Sequence, residues 1–486
     1  MPASPPRPAS LRRLWALAAL LVGGLGAGCA PDLSPLATDA PSLPESFSAT
    51  RSSETSEIAG WPDLFGSPEL SALSRAAAQG NLDIAAATAR IRQADGVAQT
   101  VGAALFPDLS GSQGASRSLS PGTLRTQSAP FTRTATNSFS LGLSASYIVD
   151  LFGRERLLAE TARADALAAL FDRETVALAS TASVANLYFQ LLAAQDRRRF
   201  AIDNTRTAEQ VLDAIRARAD VGTANALDLA QQEGVVAAQR ASIPALDQSI
   251  AQNRNLIAVL TGATPDSIAI SGGSLRTLRT PKVQPGLPAT LLTRRPDVAA
   301  FEVRLGAERA NVEAARRAFL PTITLTASGS LQSGVLRNLL KPDALASSLA
   351  QGLTQPIFDG GALSGKLRQA EGREIEMLQD YRKAILTSLS DVENSLIAVE
   401  QSTRHENLQA KVVETARRAQ SITAERLREG TIDVVTLLNT QLTLFQAQDQ
   451  LTQIRLQRFQ AYVGLFQALG GGWSRPAMAN AMAETP

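Results

Sequence analysis

NSFSLGLSASYIVDLFG, residues 137–153, begins with strict alternation. Phe139, Leu141, Leu143, Ala145 and Tyr147 fall on one face; Ser138, Ser140, Gly142, Ser144 and Ser146 fall on the other. A period of two is the signature of a β-strand, whose successive side chains point to opposite faces. The apolar face needs a dry partner, yet the other face is too uniformly small and hydroxylic to form a second core. Two readings fit the stretch alone. One is a half-buried strand of an ordinary sheet. The other is a membrane β-barrel strand with lipid on one side and a wet lumen on the other. The rest of the chain has to choose between them.

Composition narrows the field. The chain has 486 residues, enough for roughly two or three ordinary domains or one elongated object. Its formal net charge is +2, so nothing draws it strongly to nucleic acid. Aromatic residues make up only 5%, while Ala, Leu, Gln, Arg and Glu are plentiful, which suits long, thin helical packing. There is one cysteine and one histidine. A disulfide within the chain is impossible, and no metal or Cys/His catalytic site is expected. With no Gly-rich phosphate loop or nucleophile motif in view, an enzyme is the least favoured class. His405, among Arg404, Glu406 and Gln409, reads as part of a solvated helix face.

The N-terminus accounts for the cysteine. Arg7, Arg12 and Arg13 precede an apolar run at 14–22, which gives way to small residues ending at Gly28 and Cys29. A basic region, a short apolar core and a small-residue cleavage zone make residues 1–28 a signal peptide rather than a membrane span. Cys29 then has two readings: an incidental residue, or the lipidated first residue of a lipoprotein. The second resembles bacterial lipoprotein signals, although Gly26 stands where those usually carry Leu. Ala30 follows, with no Asp to suggest retention at the inner membrane, so that resemblance implies the outer membrane. No other segment reads as a continuous apolar run long enough to span as a helix. Residues 29–57, rich in Pro, Ser, Thr and Ala, read as a flexible tether.

From Trp61 a helical region is expected to about Leu105, with Leu70, Leu73, Ala77, Ile84, Ala87 and Ile91 at helical spacings. A hairpin follows over 107–149: a weak strand at 108–117, a loop carrying Pro121 and Gly122, then the opening strand. Beyond Gly153 no proline or glycine appears until Gly222, on the order of 100 Å of helix. Phe171, Leu178, Ala182, Ala185, Phe189 and Leu192, with Thr175, keep a coiled-coil rhythm along it. Gly222 and Thr223 make a turn, and a return helix runs from about Asn225 to Leu260, stopped by Gly262 and Pro265. That first repeat spans 58–264.

After a linker at 265–290 the pattern recurs over 291–473. Pro296 starts a helix with Asp297 in its first turn. A second hairpin covers 321–358. A long helix carries Ile385, Leu389, Val392, Leu396 and Val399 as its seam, turns near Gly430, and returns to about Gly470. Residues 474–486 read as a disordered tail. Gly153 and Gly361, Gly222 and Gly430, and Gly262 and Gly470 are each 208 residues apart. Pro107 and Pro321 are 214 apart, so the hairpin loops differ in length by six. The halves are internal repeats.

This organisation favours the membrane reading of residues 137–153. Four strands with one apolar face cannot close a barrel, and open sheet edges are not tolerated in lipid. The smallest membrane barrels use about eight strands. Several copies must share one barrel, and a homotrimer supplies twelve strands. The expected fold is mainly α with a membrane β-barrel: a trimeric 12-stranded barrel continuous with a long periplasmic α-helical barrel.

The chain resembles the outer-membrane efflux proteins, the TolC-like channels, and within them the lipoprotein branch serving resistance-nodulation-division pumps. The resemblance covers about 57–473. It rests on Trp61 with Phe65 and Leu70; Asn81, Leu82 and Asp83; YIVDLFG at 147–153 followed by Arg154; Gly286, Leu287 and Pro288 with RRPD at 294–297; AFLP at 318–321; and residues 430–441. Each motif is weak alone, and their order and spacing together are specific. The resemblance implies a passive exit duct that docks a periplasmic membrane-fusion adaptor and an inner-membrane pump. It also implies that the helices after the second-half turn pinch the pore. By position Val435, Thr436 and Asn439 would form that constriction, with Asp228 at the first-half equivalent of Thr436. The family often places a carboxylate where Asn439 stands. The exposed turns at Gly222, Thr223, Gly430 and Thr431 would dock the adaptor. Asp150, Gly153 and Arg154, and likewise Arg294, Arg295 and Asp297, read as local structure. No cofactor is expected beyond covalent lipid on Cys29. The rivals are the exit channel of a type I protein secretion system, on the same fold, and a periplasmic coiled-coil scaffold.

Overall fold

The computed structural model describes Phe47, Ile58 and residues 60–120, 134–284, 286 and 288–475. Cys29, the expected signal peptide and nearly all of the expected tether and tail lie outside the described residues. Two helices open the fold, α1 (Pro68–Gly80) and α2 (Leu82–Gly102). The single helical region expected from sequence is therefore divided, and Asn81 divides it. Its Oδ1 accepts from the Asp83 and Ile84 amides at 2.8 and 3.1 Å, capping α2.

Strands β1 (Asp108–Ser120), β2 (Thr134–Val149), β3 (Thr322–Ser333) and β4 (Leu345–Thr354) form one antiparallel sheet in that order. Its register sorts the two faces across all four strands. Leu141 pairs with Leu331, and Leu331 with Leu345; Val149 pairs with Ile323, and Ile323 with Leu353. On the opposite face Ser110, Ser144, Ser328 and Ser348 form one row. Its hydroxyls are linked in pairs, 2.8 Å from Ser110 to Ser144 and 2.8 Å from Ser328 to Ser348. Asp108 and Arg117 are the only charged residues in the four strands. Large apolar residues on the sheet, among them Leu143, Leu349 and Leu353, are exposed.

Each hairpin leads into a helix of 67 residues: α3 (Arg154–Asp220) after the first, and α6 (Ala362–Arg428) after the second. Each long helix is followed by a return helix of 35 residues, α4 (Ala226–Leu260) and α7 (Val434–Ala468). α5 (Pro296–Arg317) opens the second half. Matching lengths in both halves follow from the 208-residue offset. One window of α3 reaches a mean hydropathy of 1.4 over 18 residues, apolar enough for a bilayer by composition. This corrects the expectation that no such run exists beyond the N-terminus. Half of that window is buried inside the chain, as befits the packed seam of a helical wall.

The junctions follow the same logic twice. The Asp150 carboxylate accepts from the Glu155 and Arg156 amides at 3.1 and 3.0 Å and so caps α3. Gly153 adopts φ 74°, and Arg317 donates to the Phe152 and Gly153 carbonyls at 2.7 and 3.1 Å. In the second half Asp359 accepts from the Gly361 and Leu363 amides. At the far end of the return helices, Gly262 has φ 71° and Gly470 φ 86°. A Cβ on either would lie 2.0 Å from a backbone oxygen, that of Gly80 or of Arg294. The equivalence extends to unlike side chains. Asn81 Nδ2 donates to the Leu260 carbonyl at 2.9 Å, and Arg295 reaches the equivalent Ala468 carbonyl at 3.5 Å. Arg295 is also paired with Asp297 at 2.7 Å and Asp391 at 2.9 Å. The RRPD motif is thus a clasp between α5, α6 and α7.

Several of the scarce aromatic residues gather in one core. The short 3-10 helix Trp61–Phe65 inserts between α3 and α7. There Phe65 lies 5.0 Å from Phe189, 5.9 Å from Phe459 and 5.9 Å from Phe466, and Trp61 stacks on Phe466 at 5.2 Å. Away from that core, ion pairs join each long helix to its return helix. Arg198 pairs with Asp247 in the first half. Glu406 pairs with Arg455 at 2.8 Å, and with Arg458 at 3.0 Å, in the second. Arg198 and Glu406, and Asp247 and Arg455, are each 208 residues apart. The pair recurs with its charges exchanged.

Candidate functional site

The two helix turns and the first turns of α4 and α7 carry the residues expected to form the constriction and the docking tips. Gly222 and Gly430 have φ 77° and 74° and have nothing within 4 Å of a would-be Cβ, so the backbone conformation alone calls for glycine. The following threonines close both turns identically. Thr223 donates its amide and hydroxyl to the Arg218 carbonyl at 2.8 and 3.0 Å. Thr431 does the same to the Arg426 carbonyl at 2.9 and 3.1 Å. Gly222, Thr223, Gly430 and Thr431 are all exposed.

Asn225 and Asp433 then cap the return helices. Asn225 Oδ1 accepts from the Asp228 amide at 2.9 Å, while Asp228 Oδ2 accepts from the Asn225 amide at 3.2 Å. This reciprocal capping box gives Asp228 a local task that position alone did not reveal. Three residues from an Asn before an apolar run was the signal that could have found it. Asp433 Oδ1 accepts from the Thr436 amide at 2.8 Å. Hydrogen bonds from Thr436 hold the Asp433 carboxyl below the usual carboxylate range. Val435, Thr436 and Asn439 lie within one turn of α7 and are exposed, whereas Val434, Leu437 and Leu438 on the other side are buried.

That buried side belongs to a cluster with Ala208, Leu212, Ile215, Val235, Val236, Leu427 and Phe445, which binds all four helix ends together. One polar link crosses between the repeats here. Arg218 Nη1, in the last turn of α3, donates to the Leu427 carbonyl at 3.2 Å. A cation at a helix C-terminus is favourably placed against the last carbonyls. Sequence reading missed Arg218, because nothing in periodicity marks a side chain that bonds another helix's backbone. Higher up, Arg197 ties α3 to Asp449 of α7 at 2.5 Å. The tip can therefore present small turns to a partner and a short row of uncharged side chains, with its rigidity supplied from behind.

Comparison with known proteins adds a family pattern and whole-chain relatives. The pattern described as "Outer membrane efflux protein" matches residues 73–263 and 287–471, one span in each repeat. The pyoverdine export outer membrane protein OpmQ of Pseudomonas aeruginosa is 40% identical over 94% of this chain and 96% of its own length. The toluene efflux pump outer membrane protein TtgC of Pseudomonas putida is 31% identical over 97% of this chain and 98% of its own. Among solved structures, the outer-membrane channel OprN superposes with a TM-score of 0.81 at 27% identity, covering 89% of this chain and 98% of that one. The open state of the MtrE outer membrane channel of Neisseria gonorrhoeae gives 0.80 at 27%, covering 89% and 96%.

Proposed function

The chain belongs to the outer membrane efflux protein family, and from that premise we propose that it forms a homotrimeric duct carrying small molecules from a periplasmic adaptor and an inner-membrane pump to the outside. It is an outer-membrane protein of efflux. The observation that carries the finer reading is the sheet. It has four strands, with β1 and β4 as its ends. Leu141, Leu331 and Leu345 make an apolar row on one face, and Ser110, Ser144, Ser328 and Ser348 a hydroxylic row on the other, which suits lipid outside and water within. Such ends must be paired in lipid, and three copies give a closed barrel of twelve strands. The helical part extends it into the periplasm.

Several parts of the reading concern single residues. Cys29 carries the lipid anchor. Val435, Thr436 and Asn439, with Asp228 beside them, form the narrowest level of the periplasmic end. A ring of Asn439 amides there is neutral, which leaves the Asp228 carboxylates as the charge at this level. Gly222, Thr223, Gly430 and Thr431 form the adaptor-docking tips, and a resistance-nodulation-division pump stands behind the adaptor. The likeness to OpmQ, named for pyoverdine export, favours a small-molecule cargo over a protein.

Deletion of the gene tests this directly. The expected result is sensitivity to several unrelated toxic compounds, or cellular retention of a siderophore-like product. Unchanged susceptibility and retention together with loss of one secreted protein would assign the duct to a type I secretion system. A water-soluble monomer that forms no pore in planar bilayers would favour the scaffold. Replacing Cys29 by Ser should leave targeting intact and lower the mature mass by the acyl chains; an unchanged mass would remove the anchor from the reading.

A further inference from the structure

The four strands hold two charged residues, and the register sends them to opposite faces and opposite ends. Asp108 opens β1 and pairs with Ser146 on the hydroxylic face, at the end of the sheet joined to the helices. Arg117 lies near the far end of β1, pairs with Asn137, and shares its face with Leu109, Leu141, Leu331 and Leu345. It is the only charge on that face. The register also sets its depth. Val149 and Phe139 mark the two ends of the apolar stretch on β2. The run between them is about 34 Å along the strand, or about 26 Å along the membrane normal for a tilt of about 40°. A membrane barrel carries an apolar band of about 25 Å. Arg117 faces Asn137, the next residue on that face beyond Phe139, and so stands just past the outer edge of the band, where lipid headgroups begin.

The connection between β3 and β4 lies at the same end. A Cβ on Gly334 would meet the Asn137 carbonyl oxygen at 3.4 Å, so the row from Arg117 through Asn137 runs on into residues 334–344. Successive turns hold that segment. The Asn338 amide donates to the Val335 carbonyl at 3.0 Å, Lys341 to Asn338 at 3.2 Å, and Ala344 to Lys341 at 3.0 Å. Its surface is unlike that of a loop made for water. Val335, Leu336 and Leu340 are 48%, 63% and 79% exposed. Arg337 and Lys341 stand beside them, also exposed. Arg117, Arg337 and Lys341 make no ion pair or side-chain hydrogen bond with a described residue. Asp343 is the one carboxylate in 334–344, and residues 121–133, which join β1 to β2, contain none.

We propose that Arg117, Arg337 and Lys341, with Leu336 and Leu340 beside them, dock the phosphorylated glycolipid of the outer leaflet. The cations take the phosphates of its disaccharide headgroup, and the leucines cover the upper part of its acyl chains. Charge and depth together argue for this occupant. A cation on a lipid-facing strand is costly at the bilayer midplane and nearly free at the interface, and Arg117 stands at the interface. Two of the three cations are arginines, whose planar forks match phosphate oxygens in pairs, and neither is committed to a carboxylate. Exposed leucines next to unpaired cations are the composition of a surface that lies in a lipid interface. Crowded anionic headgroups repel one another and are ordinarily bridged by divalent cations. At this rim the three side chains take the place of those ions, and the contact sets the height of the barrel in the outer leaflet.

The proposal rests on the membrane-barrel reading, and the experiment separates the two. Full-length protein in neutral detergent is mixed with diphosphoryl lipid A, and bound lipid is counted by native mass spectrometry. Wild-type protein should carry the lipid. Arg117→Gln, Arg337→Gln and Lys341→Gln together should weaken binding at least ten-fold. Arg206→Gln, Lys411→Gln and Arg428→Gln, which remove the same charge from exposed helical positions, should leave binding as it was. Equal loss in both triple variants, or loss in neither, would overturn the surface. Helical circular dichroism excludes a misfolded variant. Leu336→Ser with Leu340→Ser, which keeps every charge, should weaken binding several-fold; undiminished binding would remove the leucines from the surface. Inorganic phosphate and phosphatidylglycerol should compete poorly, and displacement by either at equal phosphate concentration would make this a general anion site. Binding should persist in EDTA, whereas its loss there would assign the contact to a bridging metal ion. A chain recovered as a water-soluble monomer without detergent would overturn the barrel reading itself. A detergent-solubilised trimer that ignores lipid A would overturn the docking surface alone.

Discussion

Gly222 and Gly262 form a matched pair for measuring what close backbone approach contributes to this wall. Both have φ near +75°, at 77° and 71°. Alanine at either must hold a left-handed conformation, at about 1–2 kcal/mol. Only at Gly262 does the new methyl also meet backbone, 2.0 Å from the Gly80 oxygen. Neither partner there is a flexible side-chain end, so the helix termini must separate, adding roughly 1–3 kcal/mol as in other overpacked sites. Gly262→Ala should then cost about 2–5 kcal/mol and Gly222→Ala about 1–2. The purified variants are compared by denaturant midpoint, following helical circular dichroism in detergent, with unfolding rates as the measure if refolding fails. Gly470→Ala, 2.0 Å from the Arg294 oxygen, should match Gly262→Ala. Equal midpoints for Gly222→Ala and Gly262→Ala would refute the assignment of that contact.

Other expectations follow from the same geometry. Glu406→Gln leaves Arg455 and Arg458, both largely buried, without their anion and should destabilise by about 3–5 kcal/mol in the same assay. Arg198→Ala, at the equivalent but solvated pair, should cost less than about 1 kcal/mol. Asn81→Ala removes a helix cap and the bond to the Leu260 carbonyl and should cost about 1–3 kcal/mol. Its signature would be faster amide exchange at Asp83 and Ile84 than elsewhere in α2. Burial pushes the Tyr188 hydroxyl from its ordinary 10.0 up to about 12. A raised value means that the folded state keeps the proton longer than the unfolded one. Stability is therefore intact below pH 10 and falls as pH climbs from there toward 12. Burial raises the Tyr381 and Tyr462 hydroxyls as well, so ultraviolet titration should show late-ionising tyrosines with Tyr188 among them; ionisation of all tyrosines near pH 10 would contradict its burial.

Much of the fold was legible because repeats and alternation are redundant signals. Residues 137–153 announced one strand, and the 208-residue offset doubled every inference drawn from either half. Leu141 pairing with Leu331 is what two in-phase alternations require. Features that depend on one residue meeting a distant one were not legible. The core built by Trp61 and Phe65 joins segments about 400 residues apart, and neither helical rhythm points to the other. Asn81 looked like one residue of a motif, yet it both splits a helix and holds the end of another. Pro244, which removes a backbone donor and ordinarily ends or kinks a helix, lies inside α4. At the tip, position suggested a pore role for Asp228, and local hydrogen bonding supplies a capping one. The two roles are compatible, since the second fixes where the first turn of α4 points.

The exchanged ion pair bears on how such a chain avoids assembling itself wrongly. Two hairpins of equal helix lengths, 67 and 35 residues, offer a folding chain the chance to mate the long helix of one with the return helix of the other. The geometry would permit it; the charges object. Arg198 would be set against Arg455, and Glu406 against Asp247, so each mismatch would bury or crowd like charges. The inversion thus works as an address label, written in opposite sign on two otherwise interchangeable parts. A chain with Arg198→Glu and Asp247→Arg would keep both native pairs and lose the label. Its native state should be about as stable as before, and its yield on refolding should fall.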